Sequence, residues 1–106
     1  MGRTTHPLFP RSQRKLAALG QRLRDARLRR RMSQEVMAAR VGVSRTTLRH
    51  LEQGDPSVNL STLTRVLTVL GHEADLDDVA ADDSIGRRLQ DLELSQRPHP
   101  RRQGRP

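Results

Sequence analysis

Three segments of the chain start with one pattern, in which a polar residue that can cap a helix stands between two apolar residues, one directly before it and one four positions later. The capping residues are Ser33, Ser44 and Asn59. A side-chain oxygen at this position accepts a hydrogen bond from the backbone of the first turn, and the apolar pair can pack over the helix start. The pattern therefore predicts three helix N-termini.

The same three segments end at glycines: Gly42, Gly54 and Gly71. Glycine easily adopts the left-handed conformation that often follows a helix C-terminus. Together with the capping residues, these glycines predict helices over residues 34–41, 45–53 and 60–70.

Apolar residues also recur at helical spacing on both sides of this region. Upstream, a series that follows Ser12 predicts a helix from about residue 13 to 30: Leu16, Leu19, Leu23 and Ala26. Downstream, Leu76 with Val79, and then Ile85 with Leu89 and Leu92, predict two short amphipathic segments. The second of these is expected to be capped by one of two residues: Asp83 or Ser84.

The composition agrees with a helical fold. The apolar residues are nearly all Leu, Val, Ala and Met, with one Phe and no Tyr or Trp, which suits packed helices better than sheets. We expect an all-α fold, a compact bundle of four to five helices with a short C-terminal helical extension and flexible basic termini. The expected divisions are a flexible arm, a central helical domain, an acidic helical extension and a disordered basic tail: 1–11, 12–71, 72–94 and 95–106.

The net charge of +8 conceals a division along the chain. Residues 1–31 hold ten Arg and Lys against one acid, Asp25, and residues 95–106 hold four Arg and no acid. Residues 72–94 hold eight acids against Arg87 and Arg88. The basic regions favour a polyanionic partner and the acidic region disfavours one, although nineteen Arg to one Lys also fits a bias in genome composition.

Several other functions are disfavoured. The chain has no Cys, which excludes thiol catalysis and thiolate metal sites, and we expect no cofactor. The histidines are too far apart in sequence to form a local metal-ligand pair: His6, His50, His72 and His99. No serine has a base and an orienting acid nearby, so we do not expect an enzyme. Because no signal peptide or membrane-spanning run is evident, we expect a cytoplasmic protein.

Two predicted helices separated by about three residues, 34–41 and 45–53, form the pattern of a helix-turn-helix. In such a unit the second helix enters the major groove of DNA. Leu48 and Leu51 would face the core, which leaves a polar stripe on the other side: Arg45, Thr46, Arg49, His50 and Gln53. These side chains can contact base edges and phosphates, although any surface helix has a solvated polar face.

The stretch SQEVMAARVGVSRTTLRHLEQG, with Gln34 after the cap and Gly42 in the turn, resembles the Xre family of helix-turn-helix regulators, which includes the lambdoid phage repressors and Cro proteins. The resemblance covers Leu19 to Gly71. It implies a four- or five-helix bundle that binds paired half-sites of double-stranded DNA as a homodimer. It also implies DNA-contacting roles, with Gln34 holding a phosphate: Gln34, Ser44, Arg45, Thr46, Arg49 and His50. Thr47 and Gln53 complete the set of predicted DNA-binding residues.

The same resemblance implies an ion pair between Arg27 and Glu52, which fall where several family members join the first and third helices. Either charge alone would be costly to bury. We therefore expect a structural role for Glu52 rather than a role in DNA contact or catalysis.

Residues 72–106 lie beyond this resemblance. The chain length and the sequence after the bundle look like the small regulators encoded beside HipA-type kinase toxins, which repress their own operon and contact the toxin. Ile85, Leu89 and Leu92 could then form an interface with a second copy or with a kinase, or pack onto the bundle. The alternative function is a nucleic-acid or protein-interaction module that uses its Arg-rich termini without sequence preference.

Overall fold

The computed structural model describes residues 6–96, in which helices are joined by turns and loops and no strand is present. The elements, in chain order, are α1 (Pro10–Arg29), α2 (Gln34–Val41), α3 (Arg45–Glu52), α4 (Leu60–Leu70), a 3₁₀ helix (Glu73–Asp78) and α5 (Ser84–Gln96). The predicted all-α fold class is confirmed. The contacts divide the chain into two compact units, Met1–Glu73 and Ala74–Pro106, which are described separately.

The predicted caps of α2, α3 and α4 are confirmed. The side chains of Ser33, Ser44 and Asn59 accept hydrogen bonds from the backbone N–H three residues later, at distances of 3.1, 3.0 and 2.9 Å. Each bond satisfies one of the N–H groups that a helix leaves unpaired in its first turn. The sequence therefore sets where these three helices begin.

The helix ends also follow the glycines, with one small correction. Gly42 and Gly71 are the left-handed caps of α2 and α4. Helix α3 ends at Glu52 rather than at residue 53, because Gln53 caps it in a right-handed conformation and the left-handed turn comes one residue later, at Gly54.

The prediction for α1 was wrong at its N-terminus. The helix begins at Pro10 and ends at Arg29, so the last two residues of the expected flexible arm are helical. Proline is tolerated in the first turn because its missing N–H would have no partner there, and its fixed φ suits a helix. The carbonyl oxygen of Phe9 accepts from the N–H of Gln13 at 3.0 Å, and Ser12 lies inside the helix. Residues 1–5 of the expected arm lie outside the described part of the chain.

The core of the first unit is formed by buried side chains from α1 to α4 and from the α1–α2 connection: Leu23, Ala26, Met32, Met37, Ala38, Val41, Leu48, Leu51, Val66, Leu67 and Leu70. Leu48, at 0% exposure, is central to it. Arg30 joins the C-terminal ends of two helices, since its guanidinium donates to the carbonyl oxygens of Ala26 in α1 and Leu70 in α4. This core fixes the position of α3.

In the second unit, α5 is capped by Asp83, whose Oδ1 accepts from the N–H of Gly86 at 3.0 Å. The segment around Leu76 forms the 3₁₀ helix rather than an α-helical segment. Helix α5 continues to Gln96, so the first two residues of the expected disordered tail are helical. Residues 97–106 of that tail lie outside the described residues.

Candidate nucleic-acid interface

The turn between α2 and α3 consists of Gly42, Val43 and Ser44. Gly42 has a φ of +84°, a backbone conformation that costs an L-amino acid free energy. There is nevertheless open space where a Cβ would lie, so glycine is required here by the backbone conformation and not by crowding. The N–H groups of Gly42 and Val43 both donate to the carbonyl oxygen of Ala38, at 2.8 and 3.1 Å. With Val43 packed against the core and Ser44 capping α3, the turn fixes the start of α3 relative to α2.

Helix α3 has two different sides. Leu48, Leu51 and Glu52 are buried. The other side carries the polar stripe that the sequence singled out, and we call it the α3 stripe: Arg45, Thr46, Arg49, His50 and Gln53. His50 is half-buried and the other four residues are exposed. The structure therefore brings these five side chains together on one accessible surface.

Two further predicted contact residues, Ser44 and Thr47, are engaged with each other. The Ser44 hydroxyl accepts from the backbone N–H of Thr47 and donates to its Oγ1, both at 3.0 Å. Ser44 is exposed and Thr47 half-buried. In the free protein these hydroxyls therefore hold the first turn of α3.

Below α3 lies a buried polar network centred on Glu52. Arg27 donates to both carboxylate oxygens, from Nε at 2.7 Å and from Nη2 at 3.0 Å, and its Nη1 donates to the carbonyl oxygen of Met32 at 2.8 Å. The two side chains are 6% and 4% exposed. A bidentate pair of this kind fixes both the distance and the orientation of its partners. It attaches α1 to the C-terminal end of α3.

Gln34, the first residue of α2, also belongs to this network. Its Nε2 donates to Oε1 of Glu52 at 3.0 Å. The sequence indicated Gln34 as a phosphate ligand, and the structure shows one of its amide hydrogens directed inward. A primary amide has a second N–H, so the side chain has a further donor beyond the one that it gives to Glu52.

Sequence reasoning missed why α1 approaches α3 so closely. A Cβ on Gly20 would lie 2.5 Å from the carbonyl oxygen of Glu52, and a Cβ on Gly54 would lie 2.6 Å from Cα of Ala17. Because neither glycine has a Cβ, the two backbones can approach each other more closely than other residues would allow. A glycine inside a helix usually costs about 1 kcal/mol relative to alanine, and this cost is the only signal that the sequence offered.

A polar cleft of about 500 Å³ opens between α1 and the exposed side of α3, and we call it the α1–α3 cleft. Its lining residues are Ala17, Gln21, Arg24, Gln34, Arg49, Glu52 and Gln53. Because Arg27 neutralises Glu52, the arginines that line the cleft, Arg24 and Arg49, give it a positive charge. Gln21 and Arg24 were not among the predicted site residues.

At the C-terminal end of α3, His50 lies beside Asp55, with 3.8 Å between Nδ1 and Oδ2. The pKa of Asp55 is lowered chiefly by hydrogen bonds from the backbone N–H and the hydroxyl of Ser57, and His50 lowers it further when charged. Both bonds reach Oδ1, at 2.8 and 2.7 Å. Asp55 thus stays ionised beside the α3 stripe.

Residues 18–80, which are more than half of the chain, match the family model of a helix-turn-helix domain. The chain belongs to this helix-turn-helix family. No curated protein and no solved structure matches it. As a helix-turn-helix protein it is a DNA-binding regulator, and the matched residues include α2 and α3.

Among residues 6–96, no group of three or more His, Cys, Asp or Glu side chains is placed to hold a metal ion. Within the same described range, no helix combines the length and the apolar character needed to cross a membrane.

Proposed function

We propose that this protein is a sequence-specific, double-stranded DNA-binding regulator that represses transcription as a dimer. The observation that carries the proposal is the α3 stripe, which is an exposed polar surface on a helix whose other side is fixed by the core and by the Arg27–Glu52 pair. A rigid reading helix is needed because direct readout requires donors and acceptors to be placed against base edges.

Different members of the stripe suit different contacts in the major groove. Arg45 can donate two hydrogen bonds to guanine, Thr46 offers a hydroxyl and a methyl group that suits thymine, and His50 can contact a base edge. Arg49 lies on the side of the α1–α3 cleft. We assign the base-reading role to Arg45, Thr46 and His50, with Gln53 at the end of the helix supporting them.

The α1–α3 cleft supplies the phosphate contacts in this proposal. Arg24 and Arg49 provide the positive charge, and the second amide hydrogen of Gln34 provides a neutral donor at the N-terminus of α2, where the helix dipole also favours an anion. Phosphate contacts of this kind set the register of a protein on the duplex. They would hold α3 at a fixed depth in the groove.

Repression and dimerisation rest on the resemblance to the Xre family, whose members usually bind paired half-sites as dimers. A dimer places two reading helices on half-sites one helical turn of DNA apart, and occupation of such a site can block a promoter. A HipA-type kinase toxin as a further partner is supported only by the chain length and by the likeness of the sequence after the bundle, residues 70–97, to small regulators of that class. Copurification of the chain with the product of a neighbouring kinase gene would test that partner.

The proposed function is tested by a gel shift in which the protein is titrated against the DNA upstream of its own gene and against a scrambled duplex of the same length. We expect binding to the upstream DNA that is about a thousandfold or more tighter, as is typical of specific sites. Equal affinity for both duplexes, with a steep salt dependence, would instead support the module that binds nucleic acid without sequence preference.

A further inference from the structure

Helix α5 carries an apolar stripe that is open to solvent. Ile85, Leu89 and Leu92 are 69%, 61% and 51% exposed, and the helix has no buried residue. Their spacing of four and then three residues places them on one side of the helix, whereas Leu94 lies on the opposite side. In heptad notation the stripe reads d, a, d, and Gln96 takes the next a position. This spacing is typical of one half of a seam between two helices.

Two charged residues flank the seam, one on each side. In the same register Arg88 is a g residue and Glu93 is the e residue five positions later. In a parallel, in-register pair of identical helices, a g residue faces this e residue of the partner helix. Each Arg88 would therefore meet Glu93 of the second copy, and the two-fold symmetry would form this contact twice.

The charged residues around the start of α5 already have local partners. Arg87 donates to Asp82 at 2.7 Å, and Asp83 caps the helix. Within residues 6–96, neither Arg88 nor Glu93 pairs with another side chain. Arg88 and Glu93 are thus the charged residues that could pair with a second helix.

An antiparallel pair would not use these charges. When identical helices run in opposite directions, g residues face g residues and e residues face e residues. Arg88 would then lie near Ser95 of the second copy, and Glu93 would lie near Gly86. The charge pattern therefore favours the parallel arrangement.

We propose that α5 forms a parallel, in-register pair with α5 of a second copy of this chain, with Ile85, Leu89 and Leu92 in the seam and Arg88 paired with Glu93 across it. The inference builds on the dimer of the proposed function, but it requires no DNA. The two-fold axis of a parallel pair lies between the two helices and runs parallel to them. Two chains related by such an axis have the symmetry that binding to paired half-sites requires.

The full chain offers a direct test, because it contains no cysteine and a single introduced one reports alone. In the parallel pair, Gln96→Cys places two thiols in one layer of the seam, and we expect a disulfide-linked dimer under mild oxidation. The control Leu94→Cys places the same thiol on the opposite side of α5 and should form no disulfide-linked dimer under those conditions. Equal cross-linking of the two variants would overturn the proposal.

The direction of the pair is tested by mixing Gln96→Cys with Ile85→Cys. In an antiparallel pair, residue 85 of one chain shares a layer with residue 96 of the other chain. The two copies of residue 96 would then lie about 16 Å apart along the helix axis. We expect homodimers of the Gln96→Cys chain from the mixture. Predominance of the mixed dimer would exclude the parallel arrangement.

A charge exchange tests the flanking contacts in DNA-free buffer. Arg88→Glu and Glu93→Arg should each raise the dissociation constant of the dimer about tenfold in sedimentation equilibrium, and the double variant should restore it. Circular dichroism checks that each variant is folded. A wild-type chain that stays monomeric from micromolar to millimolar concentration would refute self-pairing, while the gel shift would still report separately on DNA binding.

Discussion

The two sides of α3 both carry charge, but burial gives the charges different roles. On the inner side, Glu52 is enclosed and receives three hydrogen bonds, two from Arg27 and one from Gln34. On the outer side, Arg45 and Arg49 are exposed. A buried charge is tolerated only when it is paired, so the inner side fixes geometry. The outer side keeps its hydrogen-bond donors for a ligand.

The largest expected effect comes from breaking the inner side. Glu52→Ala leaves the guanidinium of Arg27 buried without its partner, which should lower the free energy of unfolding by about 3 to 5 kcal/mol. Urea denaturation followed by circular dichroism measures this change. The control is Glu35→Ala, which removes an exposed acid from α2 and should leave the unfolding free energy nearly unchanged. Equal unfolding midpoints for the two variants would show that the pair does not support the fold.

The next largest effect should come from the outer side and should leave the fold intact. Arg45→Ala or His50→Ala should each cost about 1 to 3 kcal/mol of discrimination between the operator and a mismatched duplex. Gel shifts with both duplexes measure the discrimination, and thermal melting should give a nearly unchanged Tm. If both variants retain full discrimination, the α3 stripe is not the reading surface.

The α1–α3 cleft lies where the two sides of α3 meet, since buried Glu52 and exposed Arg49 both line it. Arg24→Ala should weaken binding to operator and scrambled DNA by the same factor, because phosphates carry no sequence information. It should also reduce the slope of log K against log salt by about 0.9. Arg22→Ala removes the same charge from a position of α1 that does not line the cleft. A similar change of slope in both variants would indicate general electrostatic attraction instead of a phosphate site.

The smallest expected effect concerns pH and the loop that ends α3. The pKa of Asp55 is lowered from its ordinary value of 3.8 by the hydrogen bonds from Ser57. The ionised carboxylate therefore stabilises the fold above that value, and this stabilisation is lost as the pH falls through the lowered pKa. In Asp55→Asn the amide oxygen can still accept those bonds without titrating. Unfolding midpoints between pH 5 and pH 2 should fall less steeply for this variant than for the wild type; parallel curves would contradict the prediction.

The helix boundaries show how far local sequence signals reach. Ser33, Ser44 and Asn59 each accept from an N–H three residues away, so the information lies within one turn. The start of α1 was misplaced because its N-cap, Phe9, makes no side-chain capping bond. A helix start of this kind has no side-chain signature. Pro10 suits the first turn of a helix, but the residues before and after it are rich in Arg, Pro, Gly and Thr, and this composition favoured a flexible arm.

The sequence by itself determined the all-α class, the three capped helices and the polar stripe on α3, because each depends on contacts within a few residues. The Arg27–Glu52 pair came from the likeness to a known family, since no spacing rule joins residues 25 apart. Only the tertiary structure decided that Gln34 shares the carboxylate of Glu52, that Gly20 lies against the backbone of α3, and that Arg24 lines a cleft with Arg49. These features depend on how closely α1 crosses α3, and that distance is set by packing across the core.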